Sequence, residues 1–222
     1  MDRVTEPELM DDDENARAYA GIDFGAPHQN FITLFQRAFA EQQIGGYALD
    51  LGCGPGDITR RFARAFPQCV VHGVDGAPAM LRYGHEITAQ DPETRDRVEL
   101  FLGMLPGATL PRSRYDVVIS NSLLHHLPDP QVLWQAVRQF AAPGAPVFVM
   151  DLRRPGSRDE AQALVELHAA SDPEVFKLDF YHSLLAAFTP DEIRAQLREA
   201  GLDHFQVMTE TDRHVVIAGM MR

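Results

Sequence analysis

Cysteine is scarce in this 222-residue chain, with only Cys53 and Cys69. Two such thiols give neither a disulfide framework nor a metal-ligand spacing, so a reducing compartment and no metal are expected. Chemistry that needs several thiols loses its support with them. Long apolar runs are also missing: none approaches the ~20 residues that cross a bilayer, and no membrane partner is expected. The opening Met1-Asp2-Arg3-Val4-Thr5-Glu6 lacks the basic-then-apolar pattern of a secretory signal, which points to a cytoplasmic location. Positive charge is short as well. Lys and Arg total 20 against 32 Asp and Glu, a net charge of -12 with pI near 5.1. Binding a nucleic acid takes clustered Lys and Arg to neutralise phosphates, so that class of partner is disfavoured.

The organising stretch is Ala48-Leu49-Asp50-Leu51-Gly52-Cys53-Gly54-Pro55-Gly56-Asp57-Ile58-Thr59, an apolar strand, three glycines within five residues and the opening of a helix. Glycine accepts positive φ and has no Cβ, so backbone in such a turn can lie directly against a ligand. A dinucleotide fingerprint reads G-x-G-x-x-G and faces a pyrophosphate with a helix N-terminus. Here Asp57 stands where the last of those glycines would be, and its carboxylate works against a phosphate.

This stretch resembles the first motif of class I S-adenosylmethionine-dependent methyltransferases, of the small-molecule type. The resemblance covers about 175 residues, from 46 to the end. It implies that Gly52, Cys53 and Gly54 lie against the methionine half of S-adenosylmethionine, with Asp50 near its amino group. Asp75, followed by Gly76, ends the next strand about twenty residues on, where the fold sets an acid beside a ribose. Its carboxylate can accept from both hydroxyls; the competing reading is a cap for the following helix. Gly103 and Met104 fall where the family binds adenine, although the acid usual there is missing. Asn121-Ser122-Leu123-Leu124-His125-His126-Leu127-Pro128-Asp129-Pro130 resembles the segment that flanks the transferable methyl group. His125 is the first candidate for a general base, with Tyr181 and His182 behind it. Asp129 and Pro130 read as the N-cap and first residue of the next helix.

The expected fold is α/β: a Rossmann-like seven-stranded sheet with an antiparallel last strand, helices on both faces, an N-terminal helical lid and a helical insertion after the fifth strand. The lid is placed at 1–45 and the cofactor-binding domain at 46–222, with the insertion at 156–188. Before the first strand, a short helix is read within residues 5–20. Phe31, Leu34, Phe35, Ala38 and Phe39 then recur at helical spacing, entered through Pro27 and ended at Gly45-Gly46. Strands are expected at 70–75, 98–102, 115–120, 146–151, 204–209 and 214–220, and helices at 55–66, 77–89, 130–141 and 190–200. Thr189-Pro190-Asp191-Glu192 is a capping box. Tyr19, Phe24, Arg153 and Tyr181 are the candidates for substrate contact. The 156–188 helices would close the pocket or, with the N-terminal helices, serve as a homodimer arm.

The reading is a methyltransferase acting on a small molecule, mainly by aligning the reacting atoms, with S-adenosylhomocysteine as product. Two alternatives remain: a protein that binds the cofactor without transferring its methyl group, and a nicotinamide-dependent oxidoreductase, which Asp57 disfavours.

Overall fold

The computed structural model describes residues 1–6 and 25–222. Tyr19, Phe24 and most of the helix expected over 5–20 lie outside the described residues. The strands are β1 (Gly46–Leu51), β2 (Cys69–Asp75), β3 (Val98–Leu102), β4 (Val117–Asn121), β5 (Pro146–Leu152), β6 (Gln206–Thr209) and β7 (His214–Met220). They form one seven-stranded sheet in the order β3-β2-β1-β4-β5-β7-β6. β1 to β5 run parallel, and β7 enters antiparallel between β5 and β6. The order reverses between β1 and β4, and in open α/β sheets ligands bind at such a switch point, beyond the carboxyl ends of the strands.

Helices cover both faces: α1 (Gly25–Ala38), α2 (Asp57–Ala65), α3 (Pro78–Gln90), α4 (Gln131–Phe140), α5 (Arg158–His168), α6 (Glu174–Ala186) and α7 (Pro190–Glu199). β5 is buried at every position, as expected of a strand covered on both faces. On one face the aromatic stripe of α1 meets it. Phe31 stands edge-on to Phe148 at 5.0 Å, and Phe35 packs against both Phe148 at 5.7 Å and Phe62 of α2 at 4.9 Å. Such pairs contribute about 0.5–1.5 kcal/mol each beyond the area they bury. Helix α1 therefore packs its aromatic face into the core beside the sheet. On the opposite face Trp134 and Phe140 of α4 fill the layer under α7, with the Trp134 indole N–H donating to Gln196 Oε1 at 3.1 Å.

Local rules account for the boundaries. Thr189 and Glu192 form the reciprocal capping box at the start of α7, and the Ser157 hydroxyl accepts from the Glu160 amide to open α5. Several expected boundaries shift: α1 ends at Ala38, well before Gly45, and α2 starts at Asp57 rather than Pro55; three others have a visible local cause. β4 starts at Val117 because Tyr115 makes an isolated bridge to Ala141. β6 starts at Gln206 because the Phe205 amide closes a turn onto the Leu202 carbonyl. α4 starts at Gln131, whose amide donates to Asp129 Oδ1 at 2.9 Å, so Asp129 caps from one residue further out than expected.

Candidate active site

A cleft opens at the switch point, walled by the β1–α2 turn, the ends of β2 and β4, and the segment after β3. The turn is shaped by glycine. Gly52 and Gly54 have φ of +70° and +53°, a region that L side chains rarely adopt. A Cβ on Gly52 would strike Leu123 at 2.8 Å, whereas one on Gly54 would meet nothing within 4 Å and would project into open space. That bare strip of backbone is where a ligand can come closest.

The amides of the turn are already committed. Gly52 and Cys53 N–H donate to the Val74 carbonyl at 2.9 and 3.1 Å, Gly56 N–H to the Cys53 carbonyl at 2.9 Å, and Gly54 N–H to Asp75 Oδ2 at 2.7 Å. A phosphate-binding turn keeps such donors free for the anion. At the start of α2, moreover, the Asp57 carboxylate takes the place of an anion, 2.6 Å from His28 Nδ1 and 2.8 Å from Arg61 Nε. Burial works to raise its pKa, but these two partners hold it far below the usual carboxylate range. The Cys53 side chain turns into the core, where burial pushes its thiol well up.

The other two acids of the cleft have no such partners among the described residues. Asp50, 1% exposed, accepts from the Thr59 hydroxyl at 2.6 Å, and burial raises its pKa to about 7. Asp75 is also raised by burial, despite accepting from Gly54 N–H and, at 2.8 Å, from Ala77 N–H. These two bonds fix the carboxylate and leave about half of its acceptor sites for a ligand. The cap reading and the ligand reading of Asp75 are thus compatible. A cleft holding two desolvated acids favours a cation. Met104, 49% exposed, and Gly103 lie on the wall beyond Asp75 and give it an apolar surface.

At the end of β4, Asn121 and Ser122 also line the cleft, and the Asn121 amide donates to Ser122 Oγ at 3.1 Å. Ser122 has φ of +55°, a strained conformation for a residue other than glycine. The next turn separates the paired histidines. His126 reaches the cleft wall, while His125 is 3% exposed and bonds through Nδ1 to Asp151 Oδ1 at 2.5 Å. Burial opposes a charge on this imidazole, but Asp151 prevails and raises its pKa; His125 in turn holds Asp151 below its ordinary value against burial. Residues 1–6 lie across this turn. Val4 N–H donates to the Leu185 carbonyl, Arg3 Nη2 to the carbonyls of His125 and Leu127 at 2.9 Å each, and the Arg3 guanidinium sits 3.9 Å from the Phe188 ring centroid.

The structure therefore gathers Asp50, Gly52, Cys53, Gly54, Asp75, Gly76, Gly103, Met104, Asn121 and Ser122 around one cleft. His125 stands just behind its wall. Arg153, Tyr181 and His182 are not on that wall. Tyr181 packs into the groove between α5 and α6, His182 faces solvent, and Arg153 follows the end of β5 and makes an isolated backbone bridge to Phe188. Sequence reasoning missed His28 and Glu6, and of the adjacent histidines it favoured His125 where His126 is the one on the cleft wall. His28 carried a signal in hindsight: it precedes the core-facing Phe31, Ile32 and Phe35 by helical steps and so shares their inward face.

Residues 49–147 match the family described as a methyltransferase domain. With the sheet order and the glycine turn, this match makes the chain similar over that stretch to class I S-adenosylmethionine-dependent methyltransferases. Among particular proteins, it is 34% identical over 126 residues to trans-aconitate 2-methyltransferase of Mycobacterium tuberculosis (strain ATCC 25177 / H37Ra). That stretch is 55% of this chain and 43% of the relative, so the chain spans less than half of the relative's length. A crystal structure of a SAM-dependent methyltransferase from Aquifex aeolicus superposes with a TM-score of 0.67 at 15% identity, covering 95% of this chain and 99% of that one. The plantazolicin methyltransferase BpumL, in complex with a triazolic desmethylPZN analog and SAH, gives a TM-score of 0.71 at 12% identity, covering 94% and 91%. At these identities the structural likeness establishes the fold. No helix among the described residues is long and apolar enough to cross a membrane.

Proposed function

We propose that this protein transfers a methyl group from S-adenosylmethionine to a small-molecule acceptor. The observation that carries the reading is the pairing of a glycine turn whose amides are all taken with two desolvated acids, Asp50 and Asp75, that have no basic side chain bonded to them among the described residues. Such a cleft suits a cationic, phosphate-free nucleoside and repels a pyrophosphate. The residues fit the cofactor: Gly54 leaves room at the backbone, Asp75 keeps acceptor capacity for two ribose hydroxyls, and Met104 offers an apolar face to the base. Asp50 would compensate the cofactor's amino group. S-adenosylmethionine, once bound, supplies an electrophilic methyl group on a sulfonium.

The chain's own task is then placement. Holding the acceptor in line with that methyl can supply about 7–11 kcal/mol of the barrier. The strained Ser122 and the histidine turn stand at the end of β4, where the acceptor would meet the methyl. His125, paired with Asp151, is held too deep to reach the acceptor directly, so its part is to orient the turn that presents His126. The trans-aconitate methyltransferase likeness favours carboxylate acceptors, and the acceptor panel should be weighted towards them.

The location read from the sequence is cytoplasmic, and two free, buried thiols suit it. A homodimer through the 156–188 helices is supported by Leu167, Val175 and Leu178, which are 69%, 58% and 56% exposed.

The test is turnover with methyl-labelled S-adenosylmethionine and a panel of small carboxylic and hydroxylic acids. Label transfer with stoichiometric S-adenosylhomocysteine is expected. Tight cofactor binding with no product on any acceptor class would instead favour a silent binding protein.

A further inference from the structure

Three side chains from two distant parts of the chain converge beside the methyl-transfer end of the cleft. Glu6 Oε1 lies 3.1 Å from His126 Nδ1 and 3.5 Å from His125 Nε2, and the three atoms fall within 4.8 Å of one another. The imidazole rings lie 4.1 Å apart at 37°, so both present a nitrogen to the same carboxylate. In a tetrahedral zinc site with bonds of 2.0–2.1 Å, neighbouring donor atoms stand roughly 3.3–3.4 Å apart. The two measured edges bracket that spacing.

Ion pairing alone does not explain the cluster. His126 Nδ1 is buried and, near as it is to Glu6, finds no aligned hydrogen-bond partner among the described residues. A buried ring nitrogen left in that state costs about 1–3 kcal/mol. His125 is set as a ligand would be. Its Nδ1–H donates to Asp151 Oδ1 at 2.5 Å, which leaves Nε2 to offer its lone pair towards Glu6. A carboxylate behind a metal-binding histidine fixes the tautomer and ring orientation in this way. Asp151 is itself held by the amides of Leu124 and Leu152, each at 2.7 Å. Glu6 is brought in by the 1–6 segment and accepts from Ser183 Oγ at 3.2 Å.

We propose that Glu6, His125 and His126 form a binding site for a divalent cation of the zinc class, oriented from behind by Asp151. Two imidazoles and one carboxylate select zinc, cobalt or nickel over magnesium or calcium, which prefer oxygen donors throughout. Three protein ligands leave a tetrahedral ion one position for an outside group. Because His126 is also part of the cleft wall, a hydroxyl or carboxylate oxygen of the acceptor is the group that would take it. The site stands on its own geometry, and only this last role rests on the methyltransferase reading.

The experiment uses the full chain, freed of metal with a chelator and titrated with Co²⁺ while its visible absorption is followed. One equivalent is expected to bind with the intense bands of a four- or five-coordinate ion, and Zn²⁺ should displace it. Glu6→Gln and His126→Ala, both at half-buried positions, should each abolish the bands at one equivalent. Asp151→Asn should weaken binding about 10–100-fold. His168→Ala, which removes a surface histidine paired with Asp212, should leave it unchanged. No bands at one equivalent in the wild type would overturn the proposal, as would bands that survive both Glu6→Gln and His126→Ala. Far-UV circular dichroism and the thermal midpoint of the same samples report whether each variant is folded, and binding of S-adenosylmethionine to the wild type is measured calorimetrically beside them. Failure of that binding in the wild type would count against the methyltransferase reading and not against the cation site.

Discussion

The glycine turn and the histidine turn face the same cleft, but they are built in opposite ways. The first is local: one continuous stretch from Asp50 to Thr59 supplies the strand end, the positive-φ glycines and the helix start, and its distant partners, Val74 and Asp75, are neighbours at the end of the adjacent strand. Backbone does most of its work. The second is assembled from side chains far apart in sequence, Glu6, His125, His126 and Asp151, and each of them depends on another for its orientation. A ligand seat made of backbone tolerates changes around it, whereas a site made of mutually oriented side chains fails when any one is removed.

The largest expected effect lies on the histidine side. Asp151→Ala removes the partner of a fully buried imidazole and three accepted hydrogen bonds, those from Leu124, Leu152 and His125. Breaking a buried pair from one side costs about 3–5 kcal/mol. The denaturation midpoint should fall accordingly with an unchanged m-value, and a loss under 1 kcal/mol would show that the pair is not structural.

On the glycine side, Gly54→Ala should separate folding from binding. Alanine at φ of +53° costs about 1–2 kcal/mol of stability. Its methyl group points into open space, so the fold should survive. Overlap with a bound cofactor, of about 1–3 kcal/mol, should weaken binding roughly 10–100-fold. Calorimetry of the folded variant reads the second effect, and unchanged affinity would move the ligand away from this turn.

A smaller effect concerns pH. Asp50 has its pKa raised to about 7, so below pH 7 it is mostly protonated in the free protein. A cationic ligand prefers the ionised form and must drive off that proton to bind at lower pH. Affinity for S-adenosylmethionine should therefore rise between pH 6 and pH 8 and level off above, and Asp50→Asn should flatten the profile. A wild-type profile that falls with pH would contradict the role given to Asp50.

The same contrast explains what the sequence could tell. The seven strands were legible because each is a short apolar run between turn residues, and the glycine turn because its parts are contiguous; the antiparallel β7 followed from the family resemblance, and the strand order comes from the fold. The histidine site was only half legible. His125 and His126 stand out as a pair, but nothing local shows which one faces the cleft, and a 3₁₀ turn at Leu124–His126 decides it. Glu6 sits 119 residues before His125 in the chain, and only the folded path of residues 1–6 across α6 brings the two together. Tyr181 and His182 misled for a related reason. They are adjacent on α6, where the helical period sends Tyr181 into the α5 groove and His182 into solvent.

The most direct test is calorimetric titration of S-adenosylmethionine, S-adenosylhomocysteine and NAD into the wild type and Asp75→Ala. Both sulfur ligands should bind the wild type, with about a 100-fold loss in Asp75→Ala, as two hydrogen bonds to a charged acceptor imply. NAD should give no heat, since the amides that would hold its pyrophosphate are already bonded. Binding of NAD in preference to both sulfur ligands would contradict the account at its base.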